Sequence, residues 1–140
     1  MTDNGRVTPE DPRNQPGAPC PCELGPSYEQ CCGRFHRGEQ AAPTAEQLMR
    51  SRYAAFVRYD VAYLLRTWHP TTRPPKLFPD DGPRYTGLTV LEQAGGALFD
   101  SEGTVLFEAH YSDGVRPGVL REHSRFVRED GEWLYVGPVV

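Results

Sequence analysis

All four cysteines of this chain lie in a short segment that is too poor in apolar residues to build a hydrophobic core. Their spacing is C-x-C-x8-C-C, formed by Cys20, Cys22, Cys31 and Cys32. Residues 1–43 contain all 4 cysteines and 12 of the 28 glycines and prolines, but only 2 of the 15 aromatic residues. A segment of this composition needs a covalent cross-link or a metal ion to fold. The chain therefore divides into a cysteine-bearing head and an aromatic-rich body.

Three chemistries compete for the four cysteines. Four thiolates bind Zn²⁺ tetrahedrally and close its coordination shell, so the metal would be structural and would supply the folding free energy that the head lacks. Disulfides would indicate an oxidising compartment, but the polar N-terminus lacks the apolar segment of a secretory signal. Free or redox-active thiols are the third interpretation. We predict a structural zinc knuckle over residues 20–43. His36 follows Cys32 by four residues and could replace one cysteine as a ligand, but we favour a surface histidine.

The composition of the chain argues against a membrane protein and against a nucleic-acid-binding protein. The chain has no run of about 18 apolar residues, the length that a membrane-spanning helix requires. Its net charge of −4 gives no basic surface for nucleic acid. We therefore expect a cytoplasmic protein with no membrane contact and no nucleic-acid partner. Residues 1–19 combine four prolines with almost nothing apolar, and we predict a disordered arm there.

The body, residues 44–140, begins with two predicted helices. Thr44 is a suitable N-cap, and Gln47 follows three residues later as a capping-box partner. The apolar residues then recur with helical spacing, which predicts a first helix through about Asp60. A second helix follows from Val61 and ends near His69-Pro70, because a residue before proline is disfavoured in the α conformation.

The remainder of the body alternates with a period of two residues, which predicts β-strands. Four strands are expected, at residues 85–91, 104–111, 119–128 and 133–136. Asp130-Gly131 lies between the last two and is typical of a type I′ hairpin turn. The body is thus predicted to be an α+β domain, in which two N-terminal helices pack on one face of an antiparallel sheet of about four strands.

Several separated motifs resemble known families. The cysteine spacing, together with Tyr28, resembles the SEC-C motif, a short zinc knuckle. Three further stretches resemble the YchJ-like family of small bacterial proteins: residues 42–53, 67–70 and 122–135. This resemblance implies a SEC-C knuckle followed by a domain of the nuclear-transport-factor-2-like (NTF2-like) fold, in which a curved sheet wraps helices into a cone. It implies no biochemical activity.

The head departs from the familiar knuckle after its second cysteine. The usual motif reads C-x-C-G-S-G-K, whereas Glu23, Leu24 and Pro26 here occupy the positions of the first Gly, the Ser and the Lys. All four sulfur ligands are retained, so the prediction of zinc stands.

One charged residue falls on the apolar face of the first helix. Arg52 lies between Leu48, Met49 and Phe56 on the helical wheel, and a buried charge must be paired or must face a cavity. Arg50 and Arg58 fall elsewhere on the wheel, where we expect them to face solvent.

The acidic partners available to Arg52 are Glu108 and Glu122, and we prefer Glu122 because it shares a strand face with Ser124 and Phe126. Two interpretations remain. The pair is either a structural ion pair that joins helix to sheet or part of a ligand pocket. The predicted pocket consists of Arg52, Tyr53, Trp68, His69, Glu122 and Ser124.

The sequence carries no recognised catalytic motif, such as a Gly-rich phosphate loop or H-E-x-x-H, so we lean against an enzyme. We interpret His69 as a cap at a helix end before we consider it a general base. The first functional hypothesis is a non-catalytic binding or adaptor module whose knuckle contacts a protein partner. The second is a small-molecule binder, or a lyase- or isomerase-type enzyme, that uses the interior of the cone. A homodimer through the convex face of the sheet is also compatible with this fold.

Overall fold

The structure is a computed structural model that describes residues 18–24, 27–77 and 84–139. The predicted disordered arm, residues 1–19, lies outside the described residues except for its last two positions. No helix of the described ranges is long and apolar enough to cross a membrane.

Three helices open the described chain: α1 (Cys32–His36), α2 (Ala45–Arg58) and α3 (Val61–Arg66). The Thr44 side chain accepts a hydrogen bond of 3.1 Å from the Gln47 N–H, as the capping motif predicts. α2 ends at Arg58, and its C-cap Tyr59 adopts a left-handed conformation with φ of 57°.

The third helix is shorter than its sequence pattern suggests. α3 ends at Arg66 rather than near His69, because the chain leaves the helix to bind the last strand of the sheet. The Tyr135 N–H donates to the Thr67 carbonyl and the His69 N–H donates to the Tyr135 carbonyl, both at 2.8 Å.

Four antiparallel strands form one sheet in sequence order: β1 (Arg84–Gly95), β2 (Glu102–Ser112), β3 (Pro117–Glu129) and β4 (Glu132–Pro138). Asp130 and Gly131 have φ values of 53° and 80°, which fits the predicted type I′ turn. Irregular pairing within β1 and near Arg125 bends the sheet. The α+β prediction is confirmed, with one short additional helix in the head.

The core lies between α2 and the inner face of the sheet. Val105 and Ala109 of β2 alternate toward it, together with Phe126 of β3 and Trp133 of β4, all at most 3% exposed. The Trp133 indole donates a hydrogen bond of 3.1 Å to the Pro43 carbonyl. This bond ties the start of α2 to β4.

α2 is buried on a second face as well, which the predicted single apolar stripe did not indicate. Ser51 and Ala54 are 0% exposed on this face. Ser51 shares a hydrogen bond of 2.7 Å with the Tyr63 hydroxyl of α3, and Ala54 packs among the cysteines of the head. Small side chains at these positions let the head approach the helix closely, so the head is packed against the body.

Candidate functional site

The four cysteine sulfurs form one compact cluster. All four Sγ atoms lie within 4.8 Å of one another, and those of Cys22 and Cys31 are 3.5 Å apart. Backbone turns hold them in place: the Glu23 N–H donates to the Cys20 carbonyl at 2.9 Å and the Cys31 N–H donates to the Tyr28 carbonyl at 3.0 Å. The sequence pairs C-x-C and C-C thus face one another, as a tetrahedral metal site requires.

The cluster fits a tetrahedral zinc ion. Zn–S bonds of about 2.3 Å place tetrahedral sulfurs about 3.8 Å apart, close to the separations in the cluster. All four cysteines are free thiols, so the structure shows no disulfide among them. Four close cysteines that could hold a metal ion are therefore present, and the donor set is one that zinc prefers.

The electrostatics of the cluster favour at least one thiolate. Hydrogen bonds from Cys20 and Cys32 lower the pKa of Cys22 to about 2. The hydrogen bond with Cys22 raises the pKa of Cys20 to about 12. The sulfurs are thus close enough to share protons, and a bound cation would replace those protons.

His36 lies beside the cluster but is not one of its potential ligands, and the expected surface position is wrong because its side chain is only 3% exposed. Its Nδ1 is 2.5 Å from the Tyr28 hydroxyl and its Nε2 is 2.8 Å from the Ser51 carbonyl. A carbonyl only accepts, so Nε2 carries the proton and Nδ1 accepts from Tyr28. Burial lowers the pKa of His36, which favours this neutral form. His36 therefore joins the head to α2 through hydrogen bonds.

Two arginines predicted to be solvated instead hold the head to α2. Arg50 donates to the Cys22 carbonyl at 3.0 Å and to Glu46 at 2.8 Å. The guanidinium carbon of Arg58 lies 3.8 Å from the centre of the Tyr28 ring. The helical wheel could not reveal these contacts, because the head comes from outside the helix.

A second site is a cavity of about 230 Å³ between α2 and the sheet. Most of its wall is apolar, and the polar groups are few. The lining residues are Met49, Arg52, Tyr53, Phe56, Trp68, Tyr85, Phe107, Ala109, Leu120, Glu122, Ser124, Phe126 and Tyr135. Five of the six residues predicted for a pocket are among them.

Arg52 is the buried cation of this wall, with only 5% of its surface exposed. Its Nη1 donates to the Leu64 carbonyl and to the Thr67 hydroxyl, both at 2.7 Å. Its guanidinium carbon lies 4.9 Å from the centre of the Trp68 ring and 4.6 Å from that of Tyr135. Burial lowers the pKa of Arg52 to about 10, so the group is still a cation at neutral pH.

Glu122 is the half-buried anion of the same wall, but it makes no direct ion pair with Arg52 in the described structure. One carboxylate oxygen, Oε2, accepts hydrogen bonds from Ser124 at 2.6 Å and from Tyr135 at 2.7 Å. The predicted Arg52–Glu122 ion pair is therefore wrong. Instead, Tyr135 contacts both groups, the guanidinium with its ring and the carboxylate with its hydroxyl. Burial and the bond to Glu122 raise the pKa of Tyr135, which keeps its hydroxyl protonated as a donor.

The other predicted candidates lie elsewhere. His69 does not line the cavity: its ring bridges Glu129 and Thr71, both at 2.8 Å, because the chain has already turned away along β4. Glu108 faces away from the cavity, in register with Arg121 of β3. Trp68 does line it, and its buried Nε1–H has no acceptor in the described part of the chain.

Tyr135 is the functional candidate that sequence reasoning missed. It has the same parity on β4 as the buried Trp133, which would have placed it on the inner face. Its sequence pattern, however, is that of an ordinary core residue. Only the tertiary structure shows that its hydroxyl and its ring bind two different charged groups.

Comparisons with known proteins agree with this architecture. Residues 44–138 match the family described as the YchJ middle NTF2-like domain. A UPF0225 protein of Streptomyces coelicolor is 59% identical over 120 residues, covering 86% of this chain and 94% of the relative. A UPF0225 protein of Corynebacterium glutamicum is 50% identical over 119 residues, covering 85% of this chain and 94% of the relative.

Two solved structures share the fold. The solution structure of a SEC-C motif containing protein from Rhodopseudomonas palustris has a TM-score of 0.75 and 30% identity, covering 86% of this chain and 97% of that protein. The crystal structure of a SEC-C motif containing protein from Psychrobacter arcticus has a TM-score of 0.70 and 27% identity, covering 86% of this chain and 81% of that protein.

Proposed function

The chain belongs to the YchJ-like (UPF0225) family of NTF2-like proteins with a SEC-C motif, and from its site geometry we propose that it binds a small organic molecule in the cavity between α2 and the sheet. The head serves this cavity as a structural zinc knuckle. Of the two functional hypotheses drawn from the sequence, this is the second.

The observation that carries the proposal is a buried cation on the wall of an apolar cavity. Arg52 is 5% exposed yet uses only its Nη1 as a hydrogen-bond donor within the described residues. A guanidinium has five N–H donors, and a purely structural role would be expected to satisfy them more completely. A bound molecule would supply the missing acceptors.

The head supports this function as scaffold. Three of its four cysteines are 1–2% exposed, and they pack against α2 at Ala54. A zinc ion held by Cys20, Cys22, Cys31 and Cys32 would fix the head without an open coordination position. A centre of thiolates persists in a reducing compartment, so we place the protein in the cytoplasm.

The first hypothesis, a protein partner at the knuckle, is supported less well. The head offers its cysteine-bearing side to α2 rather than to solvent, and the nearby cation Arg34 donates a hydrogen bond to the Cys31 carbonyl of the head itself. The cavity, by contrast, combines a volume of about 230 Å³ with polar groups of both charges. We therefore place the binding function in the cavity.

A cavity-filling variant tests the proposal. Ala109 lines the cavity, so Ala109→Leu should occupy part of its volume. We would measure binding of three bicyclic aromatic probes by saturation-transfer NMR: 2-naphthamide, 2-naphthoate and 2-naphthylmethylamine. Wild type should bind at least one probe, and Ala109→Leu should lose that binding. The matched control is Ala62→Leu on the exposed face of α3, which should bind as wild type does.

Two results would contradict the proposal. One is that no probe binds to folded wild type. The other is that a probe binds equally well to Ala109→Leu, which would place it outside the cavity. Thermal unfolding of each variant verifies that a loss of binding is not a loss of fold.

A further inference from the structure

We infer that the cavity takes a neutral, largely apolar molecule whose polar end carries a carbonyl acceptor beside an N–H or O–H donor. This inference rests on the proposed function and specifies its ligand class. It follows from the charges on the wall, the hydrogen-bonding atoms that are unused there, and the remaining surface.

The charges on the wall cancel. Among the described residues, Arg52 and Glu122 are the two charged ones that line the cavity. An organic anion would be attracted to Arg52 but repelled by the Glu122 carboxylate, and a cation would meet the reverse arrangement. In a largely apolar cavity each repulsion is screened less than in water. A neutral ligand avoids both penalties, so the pair of charges selects against ions.

The unused atoms specify the polar end. Both hydroxyl donors to Glu122 bind Oε2, so Oε1 accepts no hydrogen bond from the described residues. Both bonds of Arg52 come from Nη1, so Nε and Nη2 donate to no described acceptor. The wall thus offers a carboxylate acceptor and guanidinium donors. A ligand that satisfies both must donate to Glu122 and accept from Arg52, as a primary amide does.

The rest of the wall specifies the body of the ligand. Aromatic side chains dominate it, among them Tyr53, Phe56, Tyr85 and Phe107. Edge-on ring contacts join Tyr85 to Tyr53 and to Phe56, with centroids 5.8 and 6.1 Å apart. An engineered apolar cavity of about 150 Å³ binds benzene, so a volume of about 230 Å³ suits a molecule with one or two rings.

Two probes of the same shape but different charge test the ligand class separately from binding in the cavity. 2-Naphthamide is neutral and carries both a carbonyl and N–H donors, whereas 2-naphthoate has the same shape and a negative charge at neutral pH. We would measure both dissociation constants by calorimetry for wild type, Glu122→Gln and the control Glu108→Gln. Glu108 receives the same substitution on the opposite face of the sheet.

Wild type should bind the amide at least about tenfold more tightly than the carboxylate, the size of one charge-assisted hydrogen bond. Glu122→Gln removes the repelling charge while retaining an acceptor for Ser124 and Tyr135. It should therefore reverse the preference in favour of 2-naphthoate, and Glu108→Gln should leave the wild-type ratio unchanged.

The affinities of wild type for the two probes distinguish a wrong ligand class from a failure of cavity binding. If wild type binds 2-naphthoate as tightly as 2-naphthamide or more tightly, the neutral class is wrong while cavity binding stands. An unchanged ratio in folded Glu122→Gln also overturns it. If neither these probes nor the amine probe binds, the proposed function fails, and the ligand class fails with it. If Glu122→Gln does not fold, the ratio of the two dissociation constants in wild type alone tests whether the cavity prefers a neutral ligand.

Discussion

The ring of Tyr135 lies against the guanidinium of Arg52, whose Cζ is 4.6 Å from the ring centroid. The hydroxyl of the same tyrosine donates to Glu122 at 2.7 Å. One residue of β4 therefore holds a helix cation and a strand anion on a common wall, although the two charges form no direct ion pair in the described structure. This arrangement leaves donor atoms of one group and an acceptor atom of the other available within the cavity.

Removing the hydroxyl of this tyrosine should cost stability. Tyr135→Phe keeps the ring against Arg52 but leaves the Glu122 carboxylate with one donor fewer. We expect the free energy of unfolding, measured by urea titration, to fall by about 1–2 kcal/mol. Tyr111→Phe is the control, because Tyr111 lies outside the cavity wall. Equal stability of Tyr135→Phe and wild type would show that this hydrogen bond contributes nothing.

The cysteine cluster predicts a defined metal content. Purified protein should contain about one zinc ion per chain, since four cysteines complete one tetrahedral site. Cys20→Ser should lose the metal and, with it, the ordered NMR signals of the head, while Ala41→Ser in the same segment should retain both. A head that is fully folded when reduced and free of metal would refute the structural role.

The buried histidine predicts a dependence of stability on pH. Burial, assisted by Arg58 and Arg66, lowers the pKa of His36, although the Ser51 carbonyl and Asp60 oppose this shift. At pH values below about 6.5, the ordinary histidine pKa, the unfolded chain then binds a proton more readily than the folded one. The contribution of His36 to the free energy of unfolding should therefore be fully present above that pH and should be lost as the pH falls.

His36→Asn isolates this contribution, because asparagine does not titrate. Its free energy of unfolding should vary less steeply between pH 6.5 and 5.5 than that of wild type, with zinc content monitored in parallel. His123→Asn, at an exposed position, should retain the wild-type slope. If His36→Asn retains it too, the dependence has another origin.

The departure from the usual knuckle motif predicts a stabilising change. Glu23 has φ of 69°, a left-handed conformation that favours glycine, and glycine is what the familiar motif carries there. Glu23→Gly should raise the free energy of unfolding of the zinc-loaded protein by about 0.5–1 kcal/mol. Glu29→Gly, at a position without positive φ, should lower it. A loss of stability in Glu23→Gly would mean that its side chain matters more than its backbone.

Local signals in the sequence were sufficient for most of the fold. The Thr44 cap, the period-two strands and the Asp130-Gly131 turn each depend on residues near in sequence, and each is present in the structure. The second buried face of α2 could not be predicted in this way. An alanine such as Ala54 does not indicate on a helical wheel whether its face is buried or exposed. Its burial here depends on the head that packs on it.

In the candidate site, too, the sequence predicted a local feature but not the contacts that depend on tertiary packing. The sequence identified Arg52 as a charge in an apolar stripe, and the structure places it on a cavity wall. Its interactions were not predictable, because they depend on how far Glu122 lies across the core and on which rings fill the gap. Tyr135 fills that gap, and a strand pattern cannot distinguish such a residue from an ordinary core aromatic.

Locating a bound probe by NMR tests whether the cavity is the binding site. Intermolecular nuclear Overhauser effects between 2-naphthamide and the labelled methyl groups of Met49 and Ala109, which line the cavity, would report contact with its interior. The proposal predicts strong effects to both methyl groups and none to Leu24 of the head. Effects confined to Leu24 or other surface methyl groups would contradict it.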